Sequence, residues 1–483
     1  PVLKFQQERN KLFFATLSLP ATAMGLALTA QLSALSWILV TQYNLDVHDI
    51  GFVWAAGPLA GIFGQVIIGG LSDKVWFWNG RRRPFIMIGG VVAALALLAL
   101  PRIGIISSAL GLEAIVGVAL IVALTLDFAV NVGFNPTRSI IADVTPEGDE
   151  RTRGFTWMQT VSGSFGVGGY AIAAIWDNYV LIYVSALIVL LFTVIPPLLI
   201  EEPRDLVVED EAAQTSKPLW ELFMSIQPLW GFLIYDAYAM TLRLAGVETD
   251  HFYAEIVCGL LTLVLVAKVL LAKSAGDGSA RDHHLGFQKV LAAHSFSWIG
   301  IHTTFVYLII FLQQQFPELG DIDSGRVNSM NFLILNLVGA LLPLFVLQPL
   351  ALKIGRVRTH AAALAIMAAA YFALYLTGQS IMGVYVLIGL VGVGWASIVS
   401  LPFAIMSQQV RSTEMGLYMG LFNLSVVLPQ LTVSLGVALL ISRAADKDII
   451  FLISAITVAL SAIAWTRVAD EGHGESAAGA GHH

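Results

Sequence analysis

The sequence predicts an all-α membrane protein made of two six-helix halves with an extra pair of helices inserted between them. Hydrophobic residues make up 57% of the 483 positions and charged residues only 12%, about half the share that is usual for soluble domains. Fourteen apolar stretches approach the roughly 20 residues that a spanning helix needs. Lipid is therefore the expected solvent of most of the chain.

The apolar stretches form two sets of six. The first set is Leu12–Tyr43, Ile50–Leu71, Pro84–Leu100, Ala114–Ala142, Phe155–Trp176 and Tyr179–Ile200. The second set is Val290–Phe316, Val327–Leu352, Thr359–Thr377, Ile381–Val410, Met415–Ile441 and Ile449–Trp465. These sets predict bundles at residues 1–200 and 287–468, with a tail at 469–483 that we expect to be disordered and to end in a tag remnant, His482 and His483.

Residues 201–286 lie between the two sets. A charged linker, Glu201–Lys217, is followed by two further apolar stretches, Leu219–Leu244 and Phe252–Leu271. If only one of them spanned, the second half would be inverted, so they span together as a hairpin or not at all. We favour a spanning hairpin, in which Asp236, Glu255 and Lys268 need either partners within the protein or positions near the polar surface of the membrane.

Basic residues indicate the orientation of the chain. With both termini in the cytoplasm, the inner loops hold Lys74, Arg81, Arg82, Arg83, Arg151, Arg153, Lys353, Arg356, Arg358 and Arg411. The outer loops hold four, Arg102, Arg326, Arg443 and Lys447, with Arg243 added if the extra pair spans. This asymmetry obeys the positive-inside rule, and we expect an integral protein of a bacterial inner membrane with both termini cytoplasmic.

The fourth predicted helix carries a polar stripe. At ~100° per residue, Asp127, Asn131, Asn135 and Arg138 fall within about 80° of one another. A carboxylate in the membrane interior is costly and marks a candidate functional site. Asp127 and Arg138 are separated by roughly 16 Å along an ideal helix, which disfavours direct pairing between them. The alternative, a structural ion pair with another helix, stays open.

Other polar residues of the spanning segments could line a path for a sugar. These neutral amides are Gln31, Gln65, Gln159, Asn423 and Gln430, and the last two are seven positions apart and so share a face. Each could instead join helices to one another. At the cytoplasmic face, the adjacent Arg81, Arg82 and Arg83 can pair with the helix-end carboxylates of Asp73 and Asp143. Alternatively, these arginines only set the orientation of the chain in the membrane.

Several motifs resemble the sucrose-transporter family, which comprises the plant sucrose–proton symporters and their relatives within the major facilitator superfamily. They are Gly57-Pro58-Leu59-Ala60-Gly61, Gly80-Arg81-Arg82-Arg83-Pro84-Phe85-Ile86, Leu126-Asp127-Phe128-Ala129-Val130-Asn131, Pro136-Thr137-Arg138 and Asn423 through Gln430. The resemblance implies the major facilitator fold. It also implies that Asp127 is the proton acceptor and a sugar contact, and that Asp73 to Arg83 form a cytoplasmic gate. Gly163 stands where that family usually has an asparagine, which leaves the sugar open.

These observations predict a proton-coupled symporter that imports a disaccharide or glucoside, sucrose- or maltose-like, as a monomer in the bilayer. No P-loop, zinc-ligand motif or nucleophile elbow is found, so we expect no enzyme activity, no metal, no nucleic acid and no cofactor other than protons. The alternatives are a non-transporting sugar sensor and a proton-driven exporter of another small molecule. His302 and the single Cys258 are interpreted as core residues.

The predicted orientation can be tested by cysteine labelling. In a Cys258→Ala background, Glu209→Cys is expected to react with a membrane-impermeant maleimide only from the cytoplasmic side, because the linker joins two inner helix ends. Arg326→Cys, in a predicted outer loop, is the matched control and is expected to react from the opposite side. Labelling of Glu209→Cys from the periplasm would refute the orientation.

Overall fold

A computed structural model of the chain describes residues 3–64, 75–146, 149–204, 217–276, 278–410 and 415–470. Within these ranges the regular secondary structure is helical, apart from one isolated bridge between Phe77 and Gly80. Two compact units are present: Pro1–Glu209 with Leu312–Leu333, and Asp210–Phe311 with Ile334–His483. The predicted tail beyond residue 470 lies outside the described residues.

The first unit contains six long helices or parts of them. They are α1 (Lys11–Thr41), α2 (Val47–Trp54), α3 (Arg83–Ala99), α4 (Ile115–Val144), α5 (Asp149–Ile175) and α6 (Asn178–Leu199). A short helix, Lys4–Glu8, precedes α1, helical residues 56–64 come after α2, and Leu100–Arg102 and Ile103–Ala109 extend α3. The second predicted helix is described only as far as residue 64, so Gln65 lies outside the described residues.

The second unit begins with the inserted pair, α7 (Trp230–Leu244) and α8 (Tyr253–Leu271), preceded by Leu219–Ser225 and Gln227–Leu229. The next helices are α9 (Ala280–Gln315), α10 (Asp321–Leu342), α11 (Arg356–Thr377), α12 (Ile381–Gln408), α13 (Met415–Thr432) and α14 (Ile449–Trp465). The last residues of α9 and the first of α10 belong to the first unit. Two π-helical segments, Pro343–Leu347 and Val433–Val437, extend α10 and α13 and lead into Gln348–Ile354 and Ala438–Arg443.

Ten helices of the described residues are long and apolar enough to cross a membrane, and α8 is one of them. The prediction of an all-α membrane protein is therefore confirmed. The predicted helix bounds hold within a few residues for most helices, but α9 begins ten residues before the predicted Val290. Its first turns carry Arg281, Asp282, His283 and His284, which a search for apolar residues leaves out.

Local side-chain bonds explain several helix starts. Asn10 accepts a hydrogen bond from the backbone N–H of Phe13, 3.1 Å away, and Asp177 accepts one from Val180, 2.9 Å away. Ser380 does the same for Gly383. Such N-caps satisfy N–H groups that lack a partner in the helix. Each of these helices therefore begins where a short polar side chain precedes an apolar run.

Helix packing in the first unit depends on small residues and on buried hydroxyls. A side chain at Gly90 of α3 would overlap Thr193 of α6, so the two helices approach closely at that point. At the other end of the unit, Ser33 donates to Oδ1 of Asn178, 2.8 Å away, and its hydroxyl lies 2.6 Å from that of Ser329. This buried polar cluster ties α1 and α6 to the start of α10.

The inserted pair packs on α13 through a buried polar contact. Thr432 donates from Oγ1 to Oδ1 of Asp236, 2.7 Å away, and Asp236 is only 3% exposed. One turn further along the chain, a side chain at Gly436 would collide with the ring of Tyr235. Burial of a carboxylate against a single hydroxyl fixes this helix pair at one position on α13.

Deletion of Leu219–Leu271, with a short linker in its place, is expected to lower expression and thermal stability more than apparent substrate affinity. The deletion exposes the Thr432 hydroxyl and the apolar surface of α13, but it leaves the first unit unchanged. Thermal unfolding in detergent and ligand binding would be measured on the same preparation. A well-folded deletion variant that has lost ligand binding would contradict the expectation.

Candidate functional site

A buried carboxylate stands in the middle of α4. Asp127 is 5% exposed, and its Oδ2 accepts a hydrogen bond from Nε2 of Gln31 on α1, 2.9 Å away. A Cβ placed on Gly57 would lie 3.6 Å from the same oxygen, so the Gly57-Pro58 segment covers the carboxyl group. Within the described residues, the partner of Asp127 is thus a neutral amide and not a cation. Of the predicted lining residues, the structure brings Gln31 and Asp127 together.

Asn131 and Arg138, two further residues of the α4 stripe, make contacts within their own helix. Asn131 donates from Nδ2 to the backbone carbonyl of Asp127, 2.8 Å away, which is a bond within its own helix. The guanidinium carbon of Arg138 lies 4.2 Å from the centre of the Phe134 ring, and the side chain is exposed. The expected separation of Asp127 from Arg138 agrees with these contacts.

The other predicted lining residues lie on α5 in the first unit and on α13 in the second. Gln159 is exposed on α5, and near it Ser162 lies 3.3 Å from Thr22 of α1. A Cβ on Gly163 would meet no atom within 4 Å. Open space is therefore present where the resembled family usually has an asparagine. Asn423 and Gln430 are partly buried on α13 in the second unit. In the same unit His302 is buried within α9.

The arginine cluster, Arg81 to Arg83, lies at the start of α3. Nη2 of Arg81 and Nε of Arg82 both lie 3.1 Å from Oδ2 of Asp143, near the end of α4. Arg82 is buried despite its charge, so this pair is shielded from solvent and joins α3 to α4. Asp73, the other expected carboxylate, lies outside the described residues.

Glu202 completes this cluster, and the sequence analysis missed it. Its carboxylate accepts hydrogen bonds from the backbone N–H groups of Arg81, Arg82 and Arg83, at 2.7–3.1 Å. A Cβ on Gly80 would lie 2.6 Å from Oε1 of Glu202, so glycine is needed for the close approach. A carboxylate at a helix N-terminus is favoured by the free N–H groups and the helix dipole. No local signal links residue 202 to residue 81.

The comparisons with known proteins identify the family. The family model of the Major Facilitator Superfamily matches residues 17–431. The chain belongs to this superfamily. It is a family of membrane transporters, so the expectation that the chain is not an enzyme is confirmed.

Among curated proteins, the chain is 34% identical over 133 residues to sucrose transport protein SUC4 of Arabidopsis thaliana, covering 25% of this chain and 26% of the relative. It is 30% identical over 251 residues to sucrose transport protein SUT2 of Oryza sativa subsp. indica, covering 42% and 49%. The general alpha-glucoside permease of Schizosaccharomyces pombe is 35% identical over 124 residues, covering 24% and 22%. The chain thus spans between about a quarter and a half of the length of these relatives.

Solved structures share the fold over almost the whole chain. The POT family transporter PepTSo has a TM-score of 0.66 at 12% identity, with 95% of this chain and 97% of that chain covered. The xylose transporter XylE from E. coli has a TM-score of 0.57 at 15% identity, with 94% and 95% covered. At these identities the matches establish the fold alone, and the predicted major facilitator fold is confirmed.

Replacement of Glu202 by alanine is expected to lower the free energy of unfolding by about 1–2 kcal/mol, because three backbone N–H groups lose their acceptor. Glu202→Gln keeps one acceptor oxygen and is expected to fall between the alanine variant and the parent. Thermal unfolding in detergent measures both.

Glu201→Ala, at the exposed neighbouring position, is the matched control for Glu202→Ala. It is expected to change the midpoint of unfolding by less than half as much. Equal losses in the two alanine variants would show that the acceptor role of Glu202 contributes nothing beyond the removal of a surface charge.

Proposed function

We propose that the chain is a proton-coupled symporter that imports a disaccharide or glucoside by alternating access. The superfamily match supports transport, and the names of the relatives, sucrose transport proteins and an alpha-glucoside permease, support the substrate class. The ten apolar helices found in the described part of the chain support a place within a membrane. The bacterial inner membrane, the cytoplasmic termini and the monomeric state belong to the same proposal.

The observation that carries the proposal is the environment of Asp127. A permanently charged structural carboxylate in a membrane protein is expected to face a cation, as Asp143 faces Arg81 and Arg82. Asp127 instead receives one hydrogen bond from the amide of Gln31. An amide donor is compatible with both the ionised and the protonated carboxyl group, because the second oxygen can carry the proton. This arrangement allows a carboxyl group to accept and release a proton; Asp236 shares it, but lies in the inserted helix pair and outside the polar stripe of α4.

Coupling results if the sugar binds better when Asp127 is protonated. A tenfold preference corresponds to a coupling free energy of about 1.4 kcal/mol. In the proposed cycle Asp127 takes up a proton from outside, and the sugar hydroxyls bind against Asp127, Asn131 and Arg138. The loaded protein then changes the side to which the site is open, and the Arg81–Asp143 and Arg82–Asp143 bonds separate as the inner path opens.

Replacement of Asp127 by asparagine is expected to abolish proton-driven accumulation of sugar while sugar-for-sugar exchange persists. Asparagine is similar in size to the protonated acid and can accept the bond from Gln31, but it cannot release a proton. Uptake of a radiolabelled sugar panel into proteoliposomes, with and without an inward proton gradient, measures the first property. Counterflow measures the second.

Asp236→Asn is the matched control, since it changes another buried carboxylate of a helix in the same chemical way. It is expected to keep proton-driven accumulation. Arg138→Lys is expected to weaken sugar binding and leave coupling in place, because a single ammonium cannot reproduce a forked donor. Accumulation by Asp127→Asn with an unchanged dependence on external pH would overturn the coupling role. Sugar binding without transport by the parent would favour the non-transporting sugar sensor, and absence of sugar binding would favour the exporter of another small molecule.

A further inference from the structure

A cavity lies between the inserted helix pair and the rest of the second unit, beside the contact of Asp236 with Thr432. It has a volume of about 270 Å³, and α7, α8, α9 and the α13 region contribute its walls. Most of its lining is apolar, including Phe232, Leu263, Phe296 and Leu440. Because α8 qualifies as a spanning helix, this groove lies at membrane depth if the inserted pair spans as proposed.

Helix periodicity aligns the α8 wall of the groove. On α8 it is lined by Glu255, Gly259 and Leu263, which are four positions apart and form one stripe. On the facing side it is lined by Thr432, Gly436 and Leu440, which stand before, within and after the π-helical segment Val433–Val437. Eight positions correspond to about 12 Å of helix. The open space at Gly259, where a Cβ would meet no atom within 4 Å, and the apolar lining around it fit an alkyl chain.

One end of the groove carries a carboxylate. Glu255 lies in the first turn of α8, is partly exposed, and accepts a hydrogen bond on Oε1 from the hydroxyl of Tyr235, 2.9 Å away. Within the described residues no ion pair involves Glu255. A carboxylate that lies near a membrane surface and has no cationic partner within the protein attracts a cation from outside the protein.

A guanidinium is held at the same end. Arg443 lies three residues beyond the groove residue Leu440, and it donates to the backbone carbonyls of Thr249 and Asp250, just before α8. Its guanidinium carbon lies 4.5 Å from the centre of the Phe252 ring. These bonds fix the cation near the start of α8, and its exposed side chain can still meet a phosphate oxygen.

We propose that this groove is a binding site for a phospholipid with a primary ammonium headgroup, a phosphatidylethanolamine. The ammonium group binds the Glu255 carboxylate, the phosphate lies against Arg443, and one acyl chain occupies the slot past Gly259. A phosphatidylglycerol places a net negative charge beside Glu255, and the quaternary ammonium of a phosphatidylcholine has no N–H donor for it. The inserted pair thereby acquires a lipid-recognition role that is separate from the Asp127 site.

Native mass spectrometry of the purified full chain tests this proposal. The three lipids, with identical acyl chains, would be titrated onto delipidated protein. The parent is expected to bind phosphatidylethanolamine about fivefold more tightly than the other two, the effect of one partly exposed ion pair. Glu255→Gln, which retains the bond from Tyr235, is expected to erase the preference. Glu248→Gln, in the loop before α8, is the charge control and is expected to retain it.

A second pair of variants tests the acyl slot. A Cβ on Gly259 would meet no atom within 4 Å, so Gly259→Leu fills the slot without a backbone clash and is expected to weaken binding of all three lipids. Leu260→Phe adds bulk to the exposed face next to it and is expected to change nothing. Equal binding of the three lipids by the parent, preference for phosphatidylglycerol, or a preference that survives in Glu255→Gln would overturn the proposal. If Gly259→Leu fails to fold, the Glu255 comparison decides alone.

Discussion

Hydrocarbon offers no hydrogen bonds, so each polar side chain of the spanning helices must find its partner inside the protein. Most of the buried hydroxyls that have a partner find it in one of two ways. Many hydroxyls donate to a carbonyl one turn back in their own helix, as Thr22 does to Ser18 and Thr193 does to Val189. Others reach a second helix, as Ser461 does to Ala293 of α9. Bonds of the second kind determine which helices are neighbours and in what register.

Two carboxylates of α4 have hydrogen-bond partners of different kinds. Asp143, near the end of α4, binds two guanidiniums, whereas Asp127 in the middle of the same helix binds an amide. A cation stabilises the ionised form and would hold the group in one state. An amide allows either state, at a smaller gain in stability. Two aspartates on one helix are thus suited to different tasks, a structural junction and a group that changes its charge.

The sequence predicted the helices and the buried carboxylate because both depend on local patterns. An apolar run of sufficient length specifies a spanning helix, and helical periodicity places Asp127 and Asn131 on one face. The sequence did not show that Gln31, rather than another of the predicted lining amides, is the partner of Asp127. Glu202 could not be found, because its acceptor role depends on bringing residue 202 beside Arg81, which no periodicity encodes. The first turns of α9 were missed because they are polar.

The π-helical segment Val433–Val437 limits how far such periodicity can be used. A π-helical turn inserts an extra residue into the helix and rotates the later part of the helix by about 100° relative to the earlier part. Asn423 and Gln430 both lie before the segment, so the inference that they share a face holds for α13. Beyond it, Ala438–Arg443 has a shifted register.

Contacts from two other helices meet the chain where this interruption begins. The hydroxyl of Tyr307 on α9 donates to the carbonyl of Val433, 3.1 Å away, and Asp236 of α7 accepts from Thr432 at the same point. Because a carbonyl in a π-helical turn is displaced from its usual partner, an outside donor such as the Tyr307 hydroxyl stabilises the altered geometry. The position of the interruption thus depends on residues more than 100 positions away in the chain, and the periodicity of α13 alone does not locate it.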